Sequence, residues 1–196
     1  MIAVMFGPPG SGKGTQANRV AARLNLPHIA TGDILRAEIA RGSELGREAA
    51  PIMARGELLP DDLIVRIIEA RLQEPDAAAG ALLDGFPRTV AQAKALDAML
   101  RRRRRAVDVV VVLNVPDEEL WTRMRRRAEE EGRADDTDEA FAQRLVVYRE
   151  ETAPVLGYYR SRGSRIVEVD GVGPIDTVTE RITTALAQGA PKARAS

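Results

Sequence analysis

The chain has 196 residues, 44% of them hydrophobic, which is enough for one domain with a full core. Lysine plus arginine equals aspartate plus glutamate at 29 each, so no net field draws the molecule to nucleic acid or a membrane, and any basic site must be local. Without cysteine there is neither a disulfide framework nor a cysteine-based zinc site, and the N-terminus has no signal-like segment, so a cytoplasmic protein is expected.

Ile2 to Phe6 is nearly all apolar and reads as a central parallel strand buried on both faces. Gly7 to Thr15 follows as a glycine-rich loop, and Ala17, Val20, Ala21 and Leu24 then fall at helical spacing. Pro27 to Ala30 is a second short strand, after which Thr31-Gly32-Asp33 opens a helix that Thr31 or Asp33 can cap, with Arg36 one turn in. His28, the only histidine, is expected to pack against the core. Gly42, Gly46, Pro51 and Gly56 interrupt the next stretch, which predicts an arm of short helices. Asp61 and Asp62 suit the positive end of a helix whose Leu63, Ile64, Ile67, Ile68 and Leu72 form one stripe.

Gly80 to Leu83 is a third strand and delivers Asp84-Gly85-Phe86-Pro87-Arg88 at its carboxyl end, where open α/β sheets bind ligands. The helix carrying Ala93, Leu96, Met99 and Leu100 ends in the run Arg101 to Arg105, read as a solvated helix end favoured by the dipole, since no aromatics interleave as a nucleic-acid patch would require. Val107 to Val115 is a fourth strand, and the following helix puts Arg123 and Arg127 on one face. Glu129 to Thr137, which contains Gly132 to Asp136, breaks the helical pattern and reads as a short loop, and its Glu129 to Glu131 run is expected to face solvent. A long helix from about Asp138 to Ser161, bent near Pro154, leads to a fifth strand at Arg165 to Val169, a turn through Gly173, a last helix, and a frayed tail from Gly189 to Ser196. Strands alternating with helices predict an α/β fold, a parallel sheet covered on both faces.

The loop after the first strand is a phosphate cradle. Gly10, Gly12 and Gly14 let backbone N–H groups converge, and Lys13 supplies a cation where β and γ phosphates would lie, as G-x-x-x-x-G-K requires. Gly14 stands where that pattern has Ser or Thr, and the hydroxyl comes one residue later at Thr15, so direct metal ligation there is in doubt. Beyond the loop, Arg36, Arg88, Arg123, Arg127, Arg133 and Arg144 lie on separate segments, a set suited to clamping two phosphate-bearing substrates. No catalytic base is needed if the acceptor is itself a phosphate, with a second pKa of about 6. Asp84, at the end of a buried strand, would position Mg²⁺ through its waters.

The sequence resembles the adenylate kinases through Gly7-Pro-Pro-Gly-Ser-Gly-Lys-Gly-Thr15, Thr31-Gly-Asp-Ile-Leu-Arg36, Asp84-Gly-Phe-Pro-Arg88 with Gln92, and Gly132-Arg-Ala-Asp-Asp136. The resemblance implies a five-stranded parallel sheet and reversible transfer of the terminal phosphate of MgATP to AMP, giving two ADP. It places Gly10, Ser11, Gly12, Lys13, Gly14, Thr15, Arg127 and Gly173 on the ATP side. Thr31, Arg36, Glu57, Leu58, Leu59, Gly85, Phe86, Pro87, Arg88, Gln92, Arg133 and Arg144 fall on the AMP side. Lys13, Arg88, Arg123, Arg133 and Arg144 would serve catalysis.

It further implies one nucleotide-kinase domain divided into a core (1–29, 60–125, 138–188), an AMP-binding arm (30–59), a short lid (126–137) and a flexible tail (189–196). Only five residues separate Arg127 from Arg133, so the long zinc-binding lid is absent and the short-lid form is the match. A monomer with ATP, AMP and ADP as its substrates, Mg²⁺ and no zinc, nucleic acid or membrane partner is expected. The alternatives are a UMP or CMP kinase on the same scaffold, against which Thr31 argues because the resembling pyrimidine kinases usually carry Ala there, and a non-enzymatic ATP-binding module.

Overall fold

The computed structural model describes residues 1–131 and 137–188. Five strands, β1 (Ile2–Phe6), β2 (His28–Ala30), β3 (Ala81–Asp84), β4 (Val109–Asn114) and β5 (Ile166–Asp170), form one sheet in the order β2-β3-β1-β4-β5. Every pairing is parallel. All five residues of β1 are buried because the strand lies mid-sheet with helices over both faces. Ile2, Val4 and Phe6 join one apolar cluster, and Ala3 and Met5 join the other, as the period of two demands. The predicted strands sit within one or two residues of those observed, and edge strand β5, least buried, carried the weakest apolar signal.

The first cluster takes in α4 (Asp61–Arg71), α5 (Val90–Arg102) and α8 (Ala153–Ser161); the second takes in α1 (Lys13–Leu24) and α9 (Ile175–Ala187). Between them in sequence, α6 (Asp117–Glu131) and α7 (Asp138–Val147) share a smaller cluster of Leu120, Met124, Phe141 and Leu145. Trp121 meets Phe141 edge-on there, with ring centroids 4.7 Å apart.

The arm consists of α2 (Thr31–Ala40) and α3 (Glu44–Ala54), which pack on each other. Two expectations are corrected here. Gly46 and Pro51 do not break the chain but lie inside α3, and Gly46 permits the close approach of the two helices, since a Cβ there would sit 2.2 Å from the Glu38 carbonyl oxygen. Neither Thr31 nor Asp33 caps α2. Strand β2 runs straight into the helix, so Ala30 holds the cap position and the Thr31 hydroxyl turns instead to the Asp84 carbonyl, 3.5 Å away.

The helix predicted from Asp138 to Ser161 is divided into α7 and α8 by a π-helical turn, Tyr148–Thr152. Pro154 lacks an N–H and crowds the carbonyl four residues back, and widening the preceding turn accommodates both. The arginine run is also more than a solvated helix end. Arg102 pairs with Glu69 at 2.6 Å, Arg103 donates to the Leu72 carbonyl at 2.6 Å, and Arg105 donates to the Ala78 and Ala79 carbonyls at 2.9 Å each. These bonds tie the end of α5 to the end of α4 and to the turn before β3.

Candidate active site

Strand register places the site. Met5 pairs with Asp84 and Ala30 pairs with Asp84, so the loops after β1, β2 and β3 leave the sheet side by side at its carboxyl edge. There they line a cleft of about 880 Å³ that also takes in residues from α3, α6 and α7.

On one wall lies the phosphate loop. Gly12, at φ +87, caps α1 in a left-handed conformation that aims the helix N-terminus at the cleft. Lys13 Nζ donates to the Pro8 carbonyl at 2.8 Å, holding the side chain back over its own loop. Burial pushes Lys13 down to about 8, with Asp84 opposing the fall and Arg88 and Arg127 adding to it. Gly14 faces Asp84, whose Oδ2 would be 3.4 Å from a Cβ at that position, an ordinary contact that by itself does not explain the departure from Ser or Thr. Thr15 is exposed and lines the cleft. Ser11 differs: its side chain is buried, its Oγ has no hydrogen-bond partner among the described residues, and it stands outside the cleft lining.

Asp84 closes the floor. Burial raises its pKa, but a hydrogen bond from His28 and the charges of Lys13 and Arg88 outweigh this and hold the carboxylate below its ordinary range. His28 Nε2 lies 3.4 Å from Asp84 Oδ2 and the ring lines the cleft, so the expected packing role is corrected to a polar one. Its lone position on an apolar strand gave no hint of a partner 56 residues away.

The opposite wall carries the second set. Gly85, at φ +74, turns the chain so that Arg88 folds back and donates from Nε to the Gly85 carbonyl at 2.9 Å. A Cβ on Gly85 would stand 3.0 Å from that guanidinium. Burial depresses Arg88, opposed by Asp84 and reinforced by Arg144 and Arg36, a sign that cations converge here. Arg36 pairs with Asp33 at 2.5 Å. Arg144 reaches the Met53 carbonyl at 3.5 Å. Thr31, Glu57, Leu58, Leu59, Phe86 and Pro87 complete this wall.

Gln92 also lines the cleft but is buried, and its amide is engaged by Arg88 N–H and by Asp61. Asp61 was visible in sequence only as a helix-terminal charge, because its partner lies 31 residues on. Arg123 and Arg127 both line the cleft from α6. Arg123 is held by Glu119 at 2.7 Å and donates to the carbonyls of Ser11 at 3.3 Å and Gly171 at 3.0 Å. Glu129 and Glu130 are exposed as expected, with Glu130 at the rim, but they continue α6 instead of opening the predicted loop, because Glu is a good helix former and nothing before Gly132 interrupts the pattern. Gly173 stands outside the cleft lining, and Arg133, with the rest of Gly132 to Asp136, lies outside the described residues, as does the tail.

A phosphate loop facing a second cationic wall in one cleft is an arrangement for moving a phosphoryl group between two anionic substrates. Comparison with known proteins agrees. A sequence model of the adenylate kinase family matches residues 5–164. The chain is 51% identical over 186 residues to an adenylate kinase of Stenotrophomonas maltophilia, covering 95% of this chain and 99% of the relative. It is 52% identical, with the same coverage, to an adenylate kinase of Xanthomonas euvesicatoria. The chain belongs to the adenylate kinase family of phosphotransferases.

Proposed function

We propose that this chain carries the adenylate kinase reaction, reversible transfer of the terminal phosphate of MgATP to AMP, across the two walls of this one cleft. ATP phosphates take the backbone N–H groups from Gly10 to Thr15, Lys13 follows the transferred group, and Arg123 and Arg127 cover the donor. Arg36 and Arg88 grip the AMP phosphate, Thr31 and the 57–59 backbone hold its nucleoside, and Gln92 reads the base. Arg133 and Arg144 reach the phosphates on closure, which also excludes water as an acceptor. Gly173 approaches the ATP adenine. The arm is 30–59 and the short lid 126–137, of which 132–136 lie outside the described residues.

Asp84 fits a role in holding Mg²⁺ through water. Among the described residues no three carboxylates or histidines gather as a protein cage, and one buried carboxylate beside the phosphate loop suits an ion that keeps its waters and takes phosphate oxygens. When bound, the ion neutralises charge on the phosphates. No described helix is long and apolar enough to cross a membrane; the chain is read as a cytoplasmic monomer acting on small molecules.

The observation that carries the assignment is Arg88, half-buried in the cleft wall near Lys13 with the charges of Arg36 and Arg144 around it. Arg88→Ala should raise the KM for AMP by about a hundredfold or more while the KM for ATP stays within about threefold. Steady-state kinetics with each nucleotide varied in turn measures this, and equal losses for both would refute the division into two walls.

A further inference from the structure

Gln92 is 2% exposed, and its amide is fixed at both ends. Oε1 accepts from the Arg88 backbone N–H at 2.7 Å, and Nε2 donates to Asp61 Oδ1 at 2.8 Å. The other carboxylate oxygen of Asp61 accepts from the Thr89 hydroxyl at 2.9 Å, and that hydroxyl accepts in turn from the Gln92 backbone N–H at 3.1 Å. Asp61 opens α4 and Thr89 caps α5, so two helix starts are joined behind the acceptor wall. Asp61 itself does not line the cleft.

A carboxylate at neutral pH only accepts and a backbone N–H only donates. Turning the Gln92 amide over would set oxygen against oxygen and N–H against N–H, leaving buried groups unpaired at both ends. The present bonds use one amide hydrogen and one carbonyl lone pair, which leaves one of each for a ligand, in a fixed order. That order matters for purines. A 6-aminopurine offers a donor at N6 beside an acceptor at N1, whereas a 6-oxopurine offers an acceptor at O6 beside a donor at N1. An amide free to turn serves both, and a fixed one serves only one.

We propose that Asp61 is a positioning residue that makes this site select 6-aminopurine over 6-oxopurine monophosphates, by locking the orientation of the Gln92 amide. The inference rests on the reading above that Gln92 reads the acceptor base. Asp61→Asn keeps the size of the side chain but offers both a donor and an acceptor, so the Gln92 amide can pair in either sense. With MgATP saturating and AMP or inosine monophosphate varied, Asp61→Asn should lower the AMP-to-IMP ratio of kcat/KM by about tenfold or more, mainly through a higher KM for AMP. Its kcat at saturating AMP and its KM for ATP should stay within about twofold of wild type, which general damage to the fold would not allow. If Asp61→Asn does not fold, Asp61→Ser, which also removes the carboxylate and keeps a short polar group in the first turn of α4, supplies the same readout. Gln92→Ala separates the two ways of failing. A raised KM for AMP in Gln92→Ala with an unchanged ratio in the Asp61 variant overturns the lock and leaves base reading in place; an unchanged KM for AMP in Gln92→Ala overturns both.

Discussion

Lys13 shows how a single side chain couples the pH response of the site to its folding. Its pKa of about 8 in the fold lies below the ordinary lysine value of 10.5, with burial the leading cause. Between those values the unfolded chain binds the extra proton, so stability from this group rises with pH, and the cost of holding Lys13 charged is complete only below the folded value. Function runs the other way, because the phosphate loop needs the cation. The kcat/KM for ATP should therefore fall as pH rises through about 8, the value for the free enzyme. Bound phosphates favour the charged form and should displace the basic limb of kcat to higher pH. Rate profiles across this range give both limbs, and limbs that coincide would mean that Lys13 does not meet the phosphates. The lysine and its loop were legible because spacing along a short stretch specifies them. His28 and Asp61 were not, because hydrogen bonds to Asp84 and Gln92 cross between distant strands and helices, and local sequence carries no record of such pairs.

At the scale of elements, legibility followed burial. Strands covered on both faces leave an unbroken apolar run, so β1 and β4 stood out, while the arm was misread at Gly46 because glycine signals both a break and a close helix contact. The two meanings have different consequences. A Cβ at position 46 would press directly on the backbone of α2, at 2.4 Å from the Glu38 carbonyl carbon, and backbone cannot swing aside as a side chain can. Gly46→Ala should therefore force α2 and α3 apart despite alanine's better helix propensity, at a cost of about 2 kcal/mol. Thermal unfolding should show a midpoint lower by roughly 5 °C. Because α3 leads directly into the 57–59 segment of the cleft wall, the KM for AMP should rise with it, whereas a mere helix break at this position would leave alanine neutral or stabilising.

For the whole molecule, the parallel sheet and its two helical layers followed from alternating strand and helix patterns, but the state of the cleft did not. The cations that would clamp phosphates already have local partners: Arg36 sits on Asp33, Lys13 on the Pro8 carbonyl, and Arg123 on the carbonyls of Ser11 and Gly171. Each substrate must displace such contacts on its own wall, so ATP alone or AMP alone orders only part of the molecule. A ligand spanning both walls, two adenosines joined by five phosphates, brings the second nucleoside to its wall at an effective concentration in the millimolar range once the first is bound. Ligand stabilisation grows as the logarithm of concentration over Kd, about 2.7 kcal/mol at a hundredfold excess. At equal micromolar concentration the bridging ligand should therefore raise the unfolding midpoint by several degrees more than ATP and AMP together, with the reaction held off by chelating Mg²⁺ in every sample. A mixture of separate nucleotides that matched the bridging ligand would mean that the two walls do not face one another across a single space, and the in-line transfer read from this cleft would have to be abandoned.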